Sequence, residues 1–140
     1  MANGYPDYEG GKRRLYLTPE WAAEFGVDKS FSGLGANQAP GAGISAIYNV
    51  PAGKTLYIVS MEIASFATNA ADADNNQIVR GRIHDDTAAV WKVAIGGNGG
   101  AQSVFSRVIK ITAGHMITYD CNNNSNHNCD LWLSVEAYEV

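Results

Sequence analysis

The stretch Val50-Pro51-Ala52-Gly53-Lys54-Thr55-Leu56-Tyr57-Ile58-Val59-Ser60-Met61-Glu62-Ile63 constrains this chain most. Pro51 fixes φ and Gly53 takes φ > 0 without a Cβ penalty, so Pro51-Ala52-Gly53 predicts a tight turn. The β-branched and aromatic run behind it suits a pleated, half-buried surface. A looser copy follows at Ile111-Thr112-Ala113-Gly114-His115-Met116-Ile117-Thr118-Tyr119. Both read apolar, x, Ala, Gly, polar, x, apolar. The chain is therefore expected to fold back at two equivalent places, as antiparallel β-domains do. Gly53-Lys54-Thr55 is not a phosphate loop, because Tyr48 stands where its first glycine would be and a strand, not a helix, follows.

Strand-like segments recur between turn signals at 44–49, 55–67, 77–84, 88–95, 103–111, 115–121 and 129–139. In the long one, Tyr57, Val59, Met61 and Ile63 are expected to share one face. In the last one, Leu131, Leu133, Val135 and Ala137 oppose Trp132, Ser134, Glu136 and Tyr138. Parallel strands are apolar on both faces, so this alternation argues against a parallel sheet. Short strands at regular spacing predict an all-β fold, an antiparallel β-sandwich of the jelly-roll kind, over residues 44–140.

Residues 1–43 read as an extended N-terminal arm with one short helix. Thr18 is a good N-cap, Pro19 suits the first helical position, Glu20 favours the positive end and Gly26 is a stop. A helix over 19–25 has about two turns, too few to be stable alone. Trp21 and Phe25 lie four apart and share a face, which must be buried on this chain's own sheet or on another subunit. Residues 32–43 have a linker composition and mark the boundary between arm and body. The triplet Lys12-Arg13-Arg14 reads as a solvated patch or as a contact with an acidic neighbour.

With 14 acidic and 10 basic residues the net charge is −4, and no basic stripe forms, so no nucleic-acid partner is expected. No apolar run is long enough for a membrane helix. The N-terminus has neither a charged n-region nor an apolar h-region, so synthesis in a cytoplasm without Sec-type export is expected.

Few motifs carry chemistry. Cys121 and Cys129 end one predicted strand and begin the next, so a hairpin would bring them together, either as a disulfide or as two buried free thiols. A zinc site adding His127 and Asp130 is weak, because structural zinc prefers four Cys or His ligands. Asp72, Asp74 and Asn76 alternate like calcium ligands, but Gln77 and Ile83 stand where an EF-hand needs Gly and Glu. His84, His115 and His127 are scattered, and no nucleophile elbow exists. Asn123-Asn124-Ser125 matches a glycosylation acceptor. No cofactor, metal or catalytic residue is expected, and the chain reads as non-enzymatic. Trp132 and Tyr138, opposite the predicted core, form a candidate ligand face.

The run Val50 to Ile58, the second turn Ile111-Thr112-Ala113-Gly114 and the closing strand Leu131-Trp132-Leu133-Ser134-Val135-Glu136-Ala137-Tyr138 resemble small structural proteins of tailed-phage virions. The resemblance is particularly to capsid decoration proteins and related jelly-roll proteins. The resemblance covers residues 44–140 and implies a virion location and a chain that decorates or cements a capsid lattice. Its implied partners are the major capsid or another virion protein and copies of itself, with trimers suiting threefold positions. On this reading the arm makes the inter-subunit contacts through Tyr16, Trp21 and Phe25. The alternative is a carbohydrate- or receptor-binding module of a phage fibre, motivated by the Asn-rich loop between the cysteines and by the aromatic residues.

Overall fold

The computed structural model describes residues 6–9, 12–15, 19–69, 78–86, 88–96 and 99–140. The strands are β1 (Pro6–Glu9), β2 (Lys12–Leu15), β3 (Val27–Asp28), β4 (Phe31–Gln38), β5 (Gly43–Asn49), β6 (Thr55–Ala67), β7 (Ile78–Asp85), β8 (Ala88–Gly96), β9 (Gly99–Thr112), β10 (Met116–Asn123) and β11 (Cys129–Glu139), with one helix, α1 (Pro19–Phe25). β1 and β2 form an antiparallel pair that places Lys12, Arg13 and Arg14 on a strand. The rest builds two antiparallel sheets. One runs β5-β10-β7-β8. The other runs β11-β6-β9, with β3 and β4 both on the free side of β11. The all-β antiparallel sandwich expected from the alternation is the fold. Among the described strands from β4 onward, β7–β8 is the one consecutive pair in the same sheet, and every other consecutive pair lies in opposite sheets.

The two repeated turns meet. Gly53 and Gly114 have φ of 75° and 85°, the left-handed conformation each turn needs. Val50 N donates to His115 O (3.0 Å) and Gly114 N donates to Val50 O (3.0 Å), so the copies close one end of the sandwich side by side.

The main core lies between the sheets. Leu56, Ile58, Met61 and Ile63 from β6 meet Leu131, Leu133 and Val135 from β11, and Ile83, Ile117, Tyr119 and Cys121 from the facing sheet. The predicted face Tyr57, Val59, Met61, Ile63 therefore splits in two. Against β11, Ser60 pairs with Glu136 while Ile58 pairs with Ala137, which leaves Val59 as an extra residue. Such a bulge shifts the side-chain alternation by one. Tyr57 and Val59 thus point outward, where Ala22, Val108, Trp21 and Tyr138 join them in a second cluster beneath α1.

Residues 31–38 are a strand, not the linker their composition suggested. Phe31 to Gly35 pair with Val135 to Leu131, so the sheet begins well before residue 44. A Cβ on Gly33 would lie 2.8 Å from the Phe31 ring, and one on Gly35 would lie 2.5 Å from Ile44 Cγ2. These glycines let neighbouring side chains lie over the strand, a packing role that composition does not distinguish from flexibility.

Candidate ligand-binding face

The outer face of the five-stranded sheet is covered at one end and open at the other. At the covered end α1 seats Trp21 edge-on against Tyr57, with ring centroids 5.1 Å apart, and Ala22 is wholly buried. Trp21, expected to reach a neighbour through the arm, is thus engaged on its own sheet. Phe25 stacks on Trp21 at 5.8 Å but remains 42% exposed. Tyr16 lies outside the described residues. Tyr138 is on the outer face as expected, but it packs with the helix cluster and donates its hydroxyl to Glu136 (2.6 Å). That bond, reinforced by burial, pushes the Tyr138 phenol up to about 12. Six residues of strand, about 20 Å, separate it from Trp132. The two aromatics therefore do not form one ligand face, because α1 has taken one of them.

The open end holds Trp132. On β11 it pairs with Leu34 of β4 and Ala64 of β6, while Asp130 pairs with Phe66. Leu34 is 60%, Phe66 48% and Trp132 38% exposed. Phe66 and Trp132 meet edge to face, centroids 5.5 Å apart and planes at 86°. Along the same strands follows a cleft of about 340 Å³ lined by Asn37, Thr68, Asn69, His127 and Asn128. Its walls are built by hydrogen bonds. Asn37, at φ 50°, donates its backbone N–H to Asp130 Oδ1 (2.7 Å). Asn128 Nδ2 donates to Asn37 Oδ1 (3.0 Å), and Thr68 N donates to Asn128 O (3.0 Å). Asn tolerates the left-handed conformation because its short polar side chain bonds locally.

The loop between β10 and β11 rests on Asn123, which is wholly buried. Its Nδ2 donates to Gln38 O and His127 O, both at 2.8 Å, and its Oδ1 accepts from Ser125 N and Ser125 Oγ. An amide so engaged is not a glycan acceptor. This loop is a crossing between sheets, not a hairpin. Cys121 and Cys129 therefore belong to opposite sheets and face the common core as free, buried thiols, not as the disulfide that a hairpin would allow. Stacked sheets lie about 10 Å apart, whereas a disulfide needs Cα atoms within roughly 7 Å. Burial, with Asp120 adding to it, pushes the Cys121 thiol up to about 12, so it is not a nucleophile. The zinc set of both cysteines, His127 and Asp130 is not assembled, since both thiols point into the core. Asp72, Asp74 and Asn76 lie outside the described residues, and Ile83 is a core residue.

Two polar clusters occupy other positions. On the outer face of the four-stranded sheet Asp120 accepts from Arg82 Nε and Nη2, both at 2.9 Å, with His84 Nε2 3.4 Å away. At the paired turns His115 Nδ1 lies 2.8 Å from Asp85 and 2.9 Å from Asp86. Among the described residues these three are the group whose donor atoms could converge on a metal ion. Both carboxylates face the same imidazole nitrogen, which suits a protonated N–H held between anions. The hydrogen bond to Asp85, and then the charges of Asp85 and Asp86, raise the His115 pKa above its ordinary value. The contribution to stability is present below the unfolded value of about 6.5 and is lost as pH rises through the raised folded value. The melting temperature of wild type relative to His115→Gln is therefore expected to fall slightly between pH 6 and 8. A difference independent of pH would show that the imidazole has the same pKa folded and unfolded, so that the two carboxylates do not favour its protonated form.

Among the described residues no helix is long and apolar enough to cross a membrane. No family model matches the chain, and no curated protein matches it. Solved structures with similar chain traces include one described as the crystal structure of PirA, 8% identical, with 77% of this chain and 94% of that one covered at a TM-score of 0.45. Another is the structure of the infectious bursal disease virus Gx strain, 13% identical, covering 96% of this chain and 45% of that one at a TM-score of 0.27. The chain spans less than half the length of that second protein. At these scores neither likeness carries a function across.

Proposed function

We propose that this chain is a non-enzymatic structural protein of a virion that packs against copies of itself and against a capsid or related lattice. One observation carries the reading: large apolar side chains stand exposed on both outer faces of the sandwich. On the four-stranded side Ile47 is 61% and Met116 38% exposed, and β5 and β10 set them on neighbouring strands. At the helix end of the other side Phe25 is 42% exposed, while Val27, 61% exposed, lies opposite Glu139 at the edge of the sheet. A subunit with neighbours on both sides needs apolar surface on both, and such surface marks interaction sites. Phe25, not Trp21, is the residue of the arm helix left for a neighbour.

The test is sedimentation velocity of the full chain over a concentration series, beside Ile47→Asp and Phe25→Asp. Wild type is expected to form a defined oligomer. Each substitution is expected to weaken association by at least about tenfold, the worth of one lost apolar anchor. A wild-type chain that stays monomeric throughout and does not co-sediment with particles would remove the reading.

A further inference from the structure

The open end of the five-stranded sheet has a chemistry of its own, distinct from the apolar surfaces assigned to packing. We propose that the cleft of Asn37, Thr68, Asn69, His127 and Asn128, with the Phe66–Trp132 pair beside it, is a binding site for a neutral polyhydroxylated ligand, a glycan.

Among the described residues that line it none is a carboxylate, lysine or arginine, and the nearby Asp130 carboxylate is engaged by the Asn37 N–H, which disfavours a phosphate or a cation as occupant. It is rich in amides, which offer donors and acceptors together, as paired hydroxyls require. The internal bonds already described consume Asn37 Oδ1 and Asn128 Nδ2. They leave Asn37 Nδ2, Asn128 Oδ1 and the Thr68 hydroxyl without a partner among the described residues. His127 lines the cleft and also holds a buried Nε2 with no hydrogen-bond partner, while its Nδ1 is taken by Asn126 Oδ1 at 2.7 Å. Buried polar atoms are normally paired, so this nitrogen is one that the residues around the cleft leave unsatisfied.

The aromatic pair supplies the second half of the recognition. Sugar rings present apolar C–H faces as well as hydroxyls, and an exposed ring can lie against such a face. Phe66 is two residues from Thr68 on β6 and its exit, so the aromatic row and the cleft lie on adjacent rows of one surface, about 7 Å apart. A sugar in the cleft therefore has a second unit over the rings. The volume falls at the lower end of the roughly 300–1,000 Å³ typical of small-ligand sites. That matches one or two sugar units.

The full chain, ¹⁵N-labelled, is titrated with the methyl glycosides of galactose, mannose and N-acetylglucosamine, and screened on a printed array of neutral and acidic oligosaccharides. The expected result is selective shifts of the Asn37, Asn69 and Asn128 side-chain amides and the Trp132 indole, with an array hit among neutral glycans. Asn128→Ala and Trp132→Ala should each weaken binding about tenfold, while Ile47→Asp leaves it unchanged. The amide spectrum of each variant reports its folding, and Trp132→Phe, which keeps a ring, should retain part of the affinity. Silence of array and titration alike overturns the proposal, as do shifts confined to other surfaces or a preference for acidic glycans that survives Asn128→Ala. Because Ile47→Asp tests the packing surfaces separately, loss of self-association and loss of sugar binding are distinguishable.

Discussion

Leu133→Ala is expected to destabilise the fold by about 3 kcal/mol, the middle of the range for removing three buried carbons and leaving a cavity. Leu133 is wholly buried in the centre of β11, paired on one side with Ile63 of β6 and on the other with Gly33 of β4. The neighbours that could collapse into the gap are held by two strands at once, so little of the cavity can close. Chemical denaturation should show a lower midpoint with an unchanged slope, and the melting temperature should drop by roughly 10 °C. A loss below about 1 kcal/mol, outside the range for buried leucine, would mean that β11 is not the central strand of its sheet.

Trp21→Ala has the next largest expected effect, about 2 kcal/mol. That is below the range for a fully buried tryptophan because the side chain is only partly covered. Its diagnostic value lies in concentration dependence. Trp21 packs on Tyr57 of the same chain, so the difference between variant and wild type should be the same at low and high protein concentration. A difference that grows with concentration would mean that the helix docks on a neighbour, as the expectation of inter-subunit contacts through Trp21 had it. Phe25→Ala should behave in the opposite manner, with little effect on a dilute monomer and a larger one where chains associate.

Both predictions turn on which side chain faces what, and the sequence revealed that unevenly. The helix was legible because Pro19, Glu20 and Gly26 are local signals that act within one turn. The closing strand was legible because Leu131, Leu133, Val135 and Ala137 alternate without interruption. The face of β6 was misread because every residue from Leu56 to Val59 is apolar. A bulge among apolar residues leaves no trace in the pattern, and only pairing with β11 locates it at Val59. Gly33 and Gly35 looked like a linker because a glycine that makes room for Phe31 and Ile44 is chemically the same as one that confers flexibility. The cysteines left a disulfide and two free thiols both open, because neighbouring strands in sequence usually share a hairpin and nothing local says that the chain changes sheets between Cys121 and Cys129. At the candidate site, Trp132 and the Asn-rich loop stood out. Phe66, Asn37 and Thr68 did not, since they are brought there by β4 and β6 from far away in the chain.

The sheet-to-sheet crossings have a temporal meaning. β11 holds β6 on one side and β3 and β4 on the other, yet it comes after all three in chain order. As the polypeptide leaves the ribosome, β4 and β6 emerge with no strand between them, and their apolar faces wait until β11 follows. Contacts of such wide sequence separation close slowly, on the millisecond-to-second scale of β-rich domains. The sandwich is therefore completed in a single late step, when β11 slides into the gap and joins pieces made long before it. Before that step neither the helix seat formed with Tyr138 nor the aromatic row containing Trp132 exists, so a partner that uses either of them meets this protein only after β11 has arrived.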